Sequence, residues 1–424
     1  MANRYRPGRQ WQEREPLGST VHIALLTAGY DKPYAVPLST ALAQHGVRID
    51  FIGSDELNCR EVTRTSGVTF LNLRGDRRAD VAAARKAFRL LAYYAKLMRY
   101  VAMAQPRILH VLWNNKFELF DRTLLMLFYR VAGKRVVLTA HNVNDAKRDS
   151  RDGWANRLSL RMQYHLCDHI FVHTEPMKRE LVAEFGVEKE NVSVIPFGIN
   201  NLVPATDLTP REARQRLGMR EGDKTALFFG TIAPYKGLEY LISALTILGR
   251  AHKHVRLIIA GAVKRGAAAY WDRVQAAIAE GGVRDQVMQR IEFIPDEDVE
   301  CYFKAADVVV MPYADISQSG VLFTAHNFGL PVIATDVGAL RDDVIDDQTG
   351  FLCPPRDPAA LAQAIDRYFS SELYRHLPTR REEIRRCAHA RHSWATVAQL
   401  TRSVYTRLPV GQPDKRKADR FRGK

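Results

Sequence analysis

Cysteine is scarce and scattered. Cys59, Cys167, Cys301, Cys353 and Cys387 are the only five in 424 residues, odd in number and without a CxxC pair. That pattern gives neither a disulfide framework nor a zinc site, and a reducing cytoplasm fits it best. Long apolar runs are missing too: nothing approaches the ~20 residues of a membrane span, and Met1–Gly18 lacks the apolar core of a secretory signal. Without such a signal the sequon Asn191-Val192-Ser193 carries no meaning. The loop after the first strand offers only Gly29, not G-x-G-x-x-G, which argues against dinucleotide binding. No helix-turn-helix, zinc-finger, RRM or KH signature accompanies the net charge of +15, so nucleic acid is not the expected partner. An anionic membrane surface or an acidic small-molecule substrate suits that charge better, much of it lying in Arg74–Arg107 and the C-terminal tail.

With 46% hydrophobic and 26% charged residues the chain has material for two cores, the default at this length. Its order is a repeated βα rhythm, and the fold class is α/β with two doubly wound halves. Val21–Leu26 reads as a buried strand, Thr27–Pro33 as a loop, Val36–His45 as a helix stopped at Gly46, and Val47–Ile52 as the returning strand. Val81–Ala104 reads as a long helix with Leu90, Leu91, Tyr94, Leu97 and Val101 on one side. Its Arg85, Lys86, Arg89, Lys96 and Arg99 either snorkel over a sheet or face lipid. Ile108–Trp113 and Val136–Ala140 follow as strands, which puts Trp113-Asn114-Asn115 and His141 at strand C-terminal ends, where open parallel sheets bind ligands. After a helix at Ala155–Cys167 and a strand at Ile170–His173, the first half ends near Gly198. Pro204–Pro210 is a polar connector. The rhythm restarts with a strand at Ala226–Phe229, a loop to Tyr235, a helix at Gly237–Leu248, and strands at Val255–Ala260 and Ile291–Phe293.

Asp307–Pro355 is the organising stretch. Val308–Met311 is too short and β-branched for a helix and apolar enough to be covered on both faces. Pro312–Ser319 is a polar loop, Gly320–Phe328 a helix ending at Gly329, and Pro331–Thr335 a second strand. Such a unit aims unpaired N–H groups and a positive dipole end at one spot, which suits a phosphate. Asp296-Glu297-Asp298 resembles a metal-binding D-x-D, but it follows Pro295 and opens a helix, where acidic residues suit the dipole. His252, His254, His389 and His392 lack a third partner and read as surface residues, so no metal is expected.

The run Phe229–Gly237 resembles the G-R-x-x-x-x-K-G element of retaining family-four glycosyltransferases of the GT-B fold. Ile195–Ile199, Leu257–Gly261 and Gly329–Gly338 with Thr349-Gly350 resemble that family's other landmarks, in order. The resemblance implies two Rossmann-like domains facing a cleft, with Ser393–Tyr405 as a terminal helix crossing back onto the first domain and Trp394 its buried anchor. The expected organisation is a flexible leader at 1–18, an acceptor domain at 19–198 joined by the crossing helix 393–408, a nucleotide-sugar domain at 199–392, and a basic tail at 409–424. It further implies a nucleotide-diphosphate sugar as donor, a glycan, lipid-linked or small-molecule acceptor, and no cofactor. Lys236 would be the point charge at the departing diphosphate and His141 would face the donor sugar. Gly29, Gly230, Thr231, Gln318, Ser319, Gly320, Val321 and Thr324 would complete donor binding.

Two departures stand out. Thr231 replaces the family's arginine, so a second cation must come from elsewhere or be absent. The paired glutamates are gone: aligned from Pro331 their positions fall on Ile316 and Thr324, with Gln318 or Ser319 one gap away. An epimerase of similar architecture and an inactive carbohydrate- or lipid-binding relative therefore remain open.

Overall fold

The computed structural model describes residues 21–29, 31–76, 82–115, 117–148, 152–199, 203–220, 222–249 and 254–409. The leader expected at 1–18, all but the first residue of the tail expected at 409–424, and His252 lie outside them.

Seven parallel strands form the first sheet: β1 His22–Leu26, β2 Arg48–Gly53, β3 Val68–Asn72, β4 Ile108–Val111, β5 Arg135–Thr139, β6 His169–Val172 and β7 Val192–Val194. Their spatial order is β3-β2-β1-β4-β5-β6-β7. Six more, β8 Lys224–Phe229, β9 Val255–Ala260, β10 Val287–Arg290, β11 Val308–Met311, β12 Val332–Thr335 and β13 Gly350–Cys353, form a second parallel sheet in the order β10-β9-β8-β11-β12-β13.

The apolar runs have a simple cause. Val308 and Val310 of β11 face one core cluster while Val309 and Met311 face another. Ile23 and Leu25 of β1 are separated from Ala24 and Leu26 in the same way. With helices on both faces, alternation vanishes and every position turns apolar. Strand order reverses between β1 and β4 in one sheet and between β8 and β11 in the other. The crevices at these reversals are where doubly wound sheets take ligands.

The Trp394–Arg407 helix, capped by Ser393, packs on the Lys32–Gln44 helix of the first domain. Trp394 is buried against Tyr34, and its indole Nε1 donates to the Ile199 carbonyl at 2.7 Å. A Cβ on Gly198 would lie 2.4 Å from that indole, so the chain passes the tryptophan only as glycine.

Several expectations shift. The first helix begins at Lys32 rather than Val36, with Pro33 in its opening turn, where a missing N–H is harmless. The strand expected at Ile291–Phe293 is four residues earlier, at Val287–Arg290. The apolar tripeptide misled, since pairing with β9 runs from Val287 opposite Leu257 to Arg290 opposite Ala260, and Phe293 is exposed. In the Ala83–Met103 helix, Leu90, Tyr94, Leu97 and Val101 are buried as expected, but Leu91 faces outward and Tyr93 takes its place. His392 is not a surface residue: its Nδ1 lies 3.1 Å from the Phe197 carbonyl and its Nε2 3.3 Å from the Asp343 carboxylate, and it packs on Phe323.

Candidate active site

On the second sheet the site is built from the loops after β8, β9 and β11. Gly230 follows β8 with φ 98° and donates its N–H to the Ala260 carbonyl at 2.9 Å. The Pro234–Lys236 turn closes on Gly237 at φ 63°, where a Cβ would stand 2.0 Å from the Pro312 carbonyl. The amide of Ala314 donates to the Tyr235 carbonyl at 2.9 Å. Main chain packed on main chain leaves the loops after β8 and β11 little freedom, and that fixes Lys236.

The Lys236 side chain is only 7% exposed. Its Nζ donates to the Tyr313 hydroxyl at 2.7 Å and stands 3.9 Å from that ring's centroid, a cation held by a neutral oxygen and a π face. The Tyr313 and Ser319 hydroxyls are 3.4 Å apart, and Ser319 precedes the Gly320–Asn327 helix. That helix has no acidic residue in its first turn. Its opening amides, including those of Gly320 and Val321, have no partner one turn back and carry the positive end of the dipole. Val321 also closes on Gly230, 3.5 Å from where a Cβ there would sit. An ammonium, a serine hydroxyl and a helix N-terminus thus converge across the strand reversal, an arrangement suited to a diphosphate.

Thr324 is buried and its hydroxyl donates to the Gly320 carbonyl at 3.1 Å. The buried Gln318 Oε1 has no partner among the described residues. Thr231 is exposed. The sequence reading missed Lys264, which follows β9 and is tied to the same loop by its amide, 2.9 Å from the Ile232 carbonyl. The Lys264 and Lys236 ammonium groups lie 5.5 Å and 5.8 Å from one Tyr235 ring centroid. A cation next to a loop whose arginine is absent was the available signal, and only the β-bridge between Ile232 and Val263 shows it. The described residues hold no cluster of three or more His, Cys, Asp or Glu able to bind a metal; Asp296, Glu297 and Asp298 open a helix instead.

On the first sheet Gly29 turns the chain after β1 at φ 81°, its N–H bonded to the Thr27 hydroxyl at 3.0 Å. Trp113 and His141, beyond β4 and β5, stack with centroids 4.1 Å apart and planes within 7°. They border a cavity of about 140 Å³ that Asn114, Arg122, Thr139 and Gln163 also line. Asn114 and Gln163 brace each other through amide bonds of 2.8 and 3.3 Å. His141 makes no bond to its own turn: Nδ1 lies 3.1 Å from Nε2 of His173, and Nε2 is buried with no partner among the described residues. Burial holds both imidazoles neutral, taking His141 well below the usual histidine range and His173 down to about 4. Nearby, burial raises the Asp31 and Asp121 carboxyls to about 6; neither was foreseen.

Residues 33–201 match the family described as Glycosyltransferase Family 4, and residues 223–371 match the one described as Glycosyl transferases group 1. The chain belongs to glycosyltransferase family 4. A D-inositol 3-phosphate glycosyltransferase from Acidothermus cellulolyticus is 26% identical over 94% of this chain and 91% of its own length. One from Corynebacterium diphtheriae is 28% identical over 64% of each chain. Among solved structures, sucrose-phosphate synthase from Thermosynechococcus elongatus superposes with a TM-score of 0.70 over 92% of this chain and 99% of its own, at 21% identity. Anabaena HepE, solved with UDP and glucose, gives a TM-score of 0.70 at 17% identity over 92% of this chain and all of its own. These similarities establish the GT-B fold.

Proposed function

We propose that this family-four enzyme is a metal-independent retaining hexosyltransferase that takes a UDP-sugar on the second domain and an acceptor hydroxyl on the first. The observation that carries the reading is the buried Lys236 ammonium, joined through Tyr313 and Ser319 to the start of the Gly320–Asn327 helix. Positive charge and N–H donors stand where a leaving diphosphate gathers negative charge. The uracil base follows the HepE complex with UDP and glucose. In the reaction the bond from the anomeric carbon to the diphosphate oxygen breaks. The acceptor oxygen bonds to that carbon on the same face, and its proton passes to the departing phosphate oxygen. Lys264 serves as the second cation in place of the family arginine.

Incubation with UDP-, GDP- and ADP-hexoses, followed by NMR of the anomeric centre, tests this. Slow hydrolysis or transfer of a UDP-hexose with retained configuration is the expected result. Interconversion of the donor sugar without an acceptor would identify an epimerase, and neither binding nor turnover an inactive relative.

We also propose that the outer face of the first domain rests on anionic lipid. Phe88 and Leu91 of the Ala83–Met103 helix, Leu124, Leu127 and Val131 of the next helical segment, and Trp154, Leu158 and Met162 of the Trp154–Leu166 helix are exposed, Trp154 by 80%. The inner faces of these helices share one core cluster. The Ala83–Met103 and Trp154–Leu166 helices carry seven Lys and Arg and no acid, which favours lipid of negative charge over a second copy of this basic chain. No helix among the described residues is long and apolar enough to cross a bilayer. Salt-sensitive binding to phosphatidylglycerol vesicles, weakened by Trp154→Ser with Leu158→Ser, is expected. Equal binding to neutral vesicles, no binding at low salt, or dimerisation through this face would each refute it.

A further inference from the structure

Two buried histidines of the first domain, His141 and His173, form a line across neighbouring strand ends, and the line has a direction. His141 follows β5, His173 follows β6, and Ile195 follows β7. Parallel pairing places these ends side by side: the Ala140 amide donates to the Phe171 carbonyl at 2.8 Å and the Ile195 amide to the Val172 carbonyl at 2.9 Å. His173 Nδ1 lies 3.3 Å from the Ile195 carbonyl oxygen. A carbonyl can only accept, so Nδ1 of His173 carries the hydrogen. In a neutral imidazole the other nitrogen is then bare. Nε2 of His173 therefore accepts, and Nδ1 of His141, 3.1 Å away, is the donor. By the same rule Nε2 of His141 is left bare, and it is the one ring nitrogen of the pair with no partner among the described residues.

We propose that His173 is a positioning residue that locks His141 in the Nδ1–H form, so that His141 offers a substrate hydroxyl a hydrogen-bond acceptor and never a donor. The surroundings hold the pair in place. Trp113 stacks on the His141 ring, Tyr34 meets it edge-on with centroids 4.6 Å apart, and Phe197 packs on His173 at 4.9 Å. Phe197 in turn stacks on Phe323, beside Thr324 in the donor helix, at 5.2 Å. The relay thus sits at the contact between the domains, where a hydroxyl of a donor sugar bound to the second can reach it. The fixed polarity selects: a hydroxyl donates to bare Nε2, whereas a carbonyl or carboxylate oxygen in the same place finds no hydrogen. This rests on the reading of His141 as a residue facing sugar in the active site.

The decisive measurement needs no substrate. Nitrogen NMR of the full-length protein labelled at histidine, with the His141 signals assigned by their loss in His141→Gln, is expected to show a protonated Nδ1 and an unprotonated Nε2 at neutral pH. A proton on Nε2 overturns the proposal. His173→Phe keeps the ring but removes the acceptor. It should release the His141 tautomer and lower kcat about tenfold, the scale of one neutral hydrogen bond, with UDP affinity unchanged. His173→Gln, which retains an accepting oxygen, should restore part of both. An unchanged tautomer in His173→Phe refutes the lock, and a changed tautomer with full turnover refutes its role at the sugar. If no nucleotide sugar is ever turned over, the spectrum still decides the relay while the functional reading alone fails.

Discussion

The two strand reversals share a topology and differ in chemistry. Around β8 and β11 the ligand end is glycine backbone, two lysines and a helix N-terminus without acid. Around β1, β4 and β5 it is aromatic rings, a braced amide pair and neutral imidazoles. A site built from cations and N–H donors suits an anion. One built mainly from amide and imidazole groups and flat ring faces, with Arg122 also in its lining, suits the hydroxyls and C–H faces of a sugar. One architecture repeated in the same chain has thus been specialised by the residues at its loop tips.

The strongest test of that contrast is Lys236→Ala. If leaving-group charge dominates the barrier, turnover should fall roughly 10²–10³-fold, the scale seen when one such donor is lost. Because Lys236 is buried against Tyr313, the variant should also lose about 1–3 kcal/mol in stability alongside nucleotide affinity. Near-normal transfer in this variant would remove the donor site from this reversal altogether.

Gly237→Ala adds a methyl beside the Pro312 carbonyl at a left-handed φ, and should cost about 1–3 kcal/mol while raising KM for the donor more than for the acceptor. An equal rise for both would blur the division between the two ends. Lys264→Ala should weaken diphosphate binding by about tenfold, and Thr231→Arg in that background should restore it, since both positions flank the Ile232–Val263 bridge. Additive losses instead of rescue would show that the two cations are unrelated.

The gentlest lever is pH. His110, His173 and His326 are held down to about 3, 4 and 4 by burial, and His141 well below its usual range. Their unfolded value is near 6.5, so the unfolded chain takes protons first as pH falls. Stability should therefore decline from about pH 6.5 towards 4, by up to roughly 1.4 kcal/mol per pH unit for each histidine. Asp31 and Asp121, raised to about 6, act oppositely over pH 6 to 4 and offset part of it. With His169 also held down to about 4, four depressed histidines outweigh the two raised carboxyls in the first domain, against one such histidine in the second, so thermal melts should show the first domain weakening first. A melting temperature that rises on acidification would contradict this.

Much of the fold was legible because doubly buried strands leave continuous apolar runs, as in Val308–Met311 and Val21–Leu26. β3, at a sheet edge and only partly buried, left no such run and was missed. In the candidate site, Lys236, Ser319, Gly320 and Val321 were legible because ordered motifs mark them and the structure brings them together. Lys264 and His173 were not, since each gains meaning only from a neighbour on another strand.

The sequence by itself determined the βα order, the two cores and the glycines that let main chains touch, because period, length and backbone freedom are local properties. Tertiary structure alone decided the burial of Lys236 on Tyr313, the seat of His392 between Phe197 and Asp343, and which nitrogen of His141 is left bare. Those depend on distances between residues far apart in the chain, and strand pairing, not local sequence, sets them.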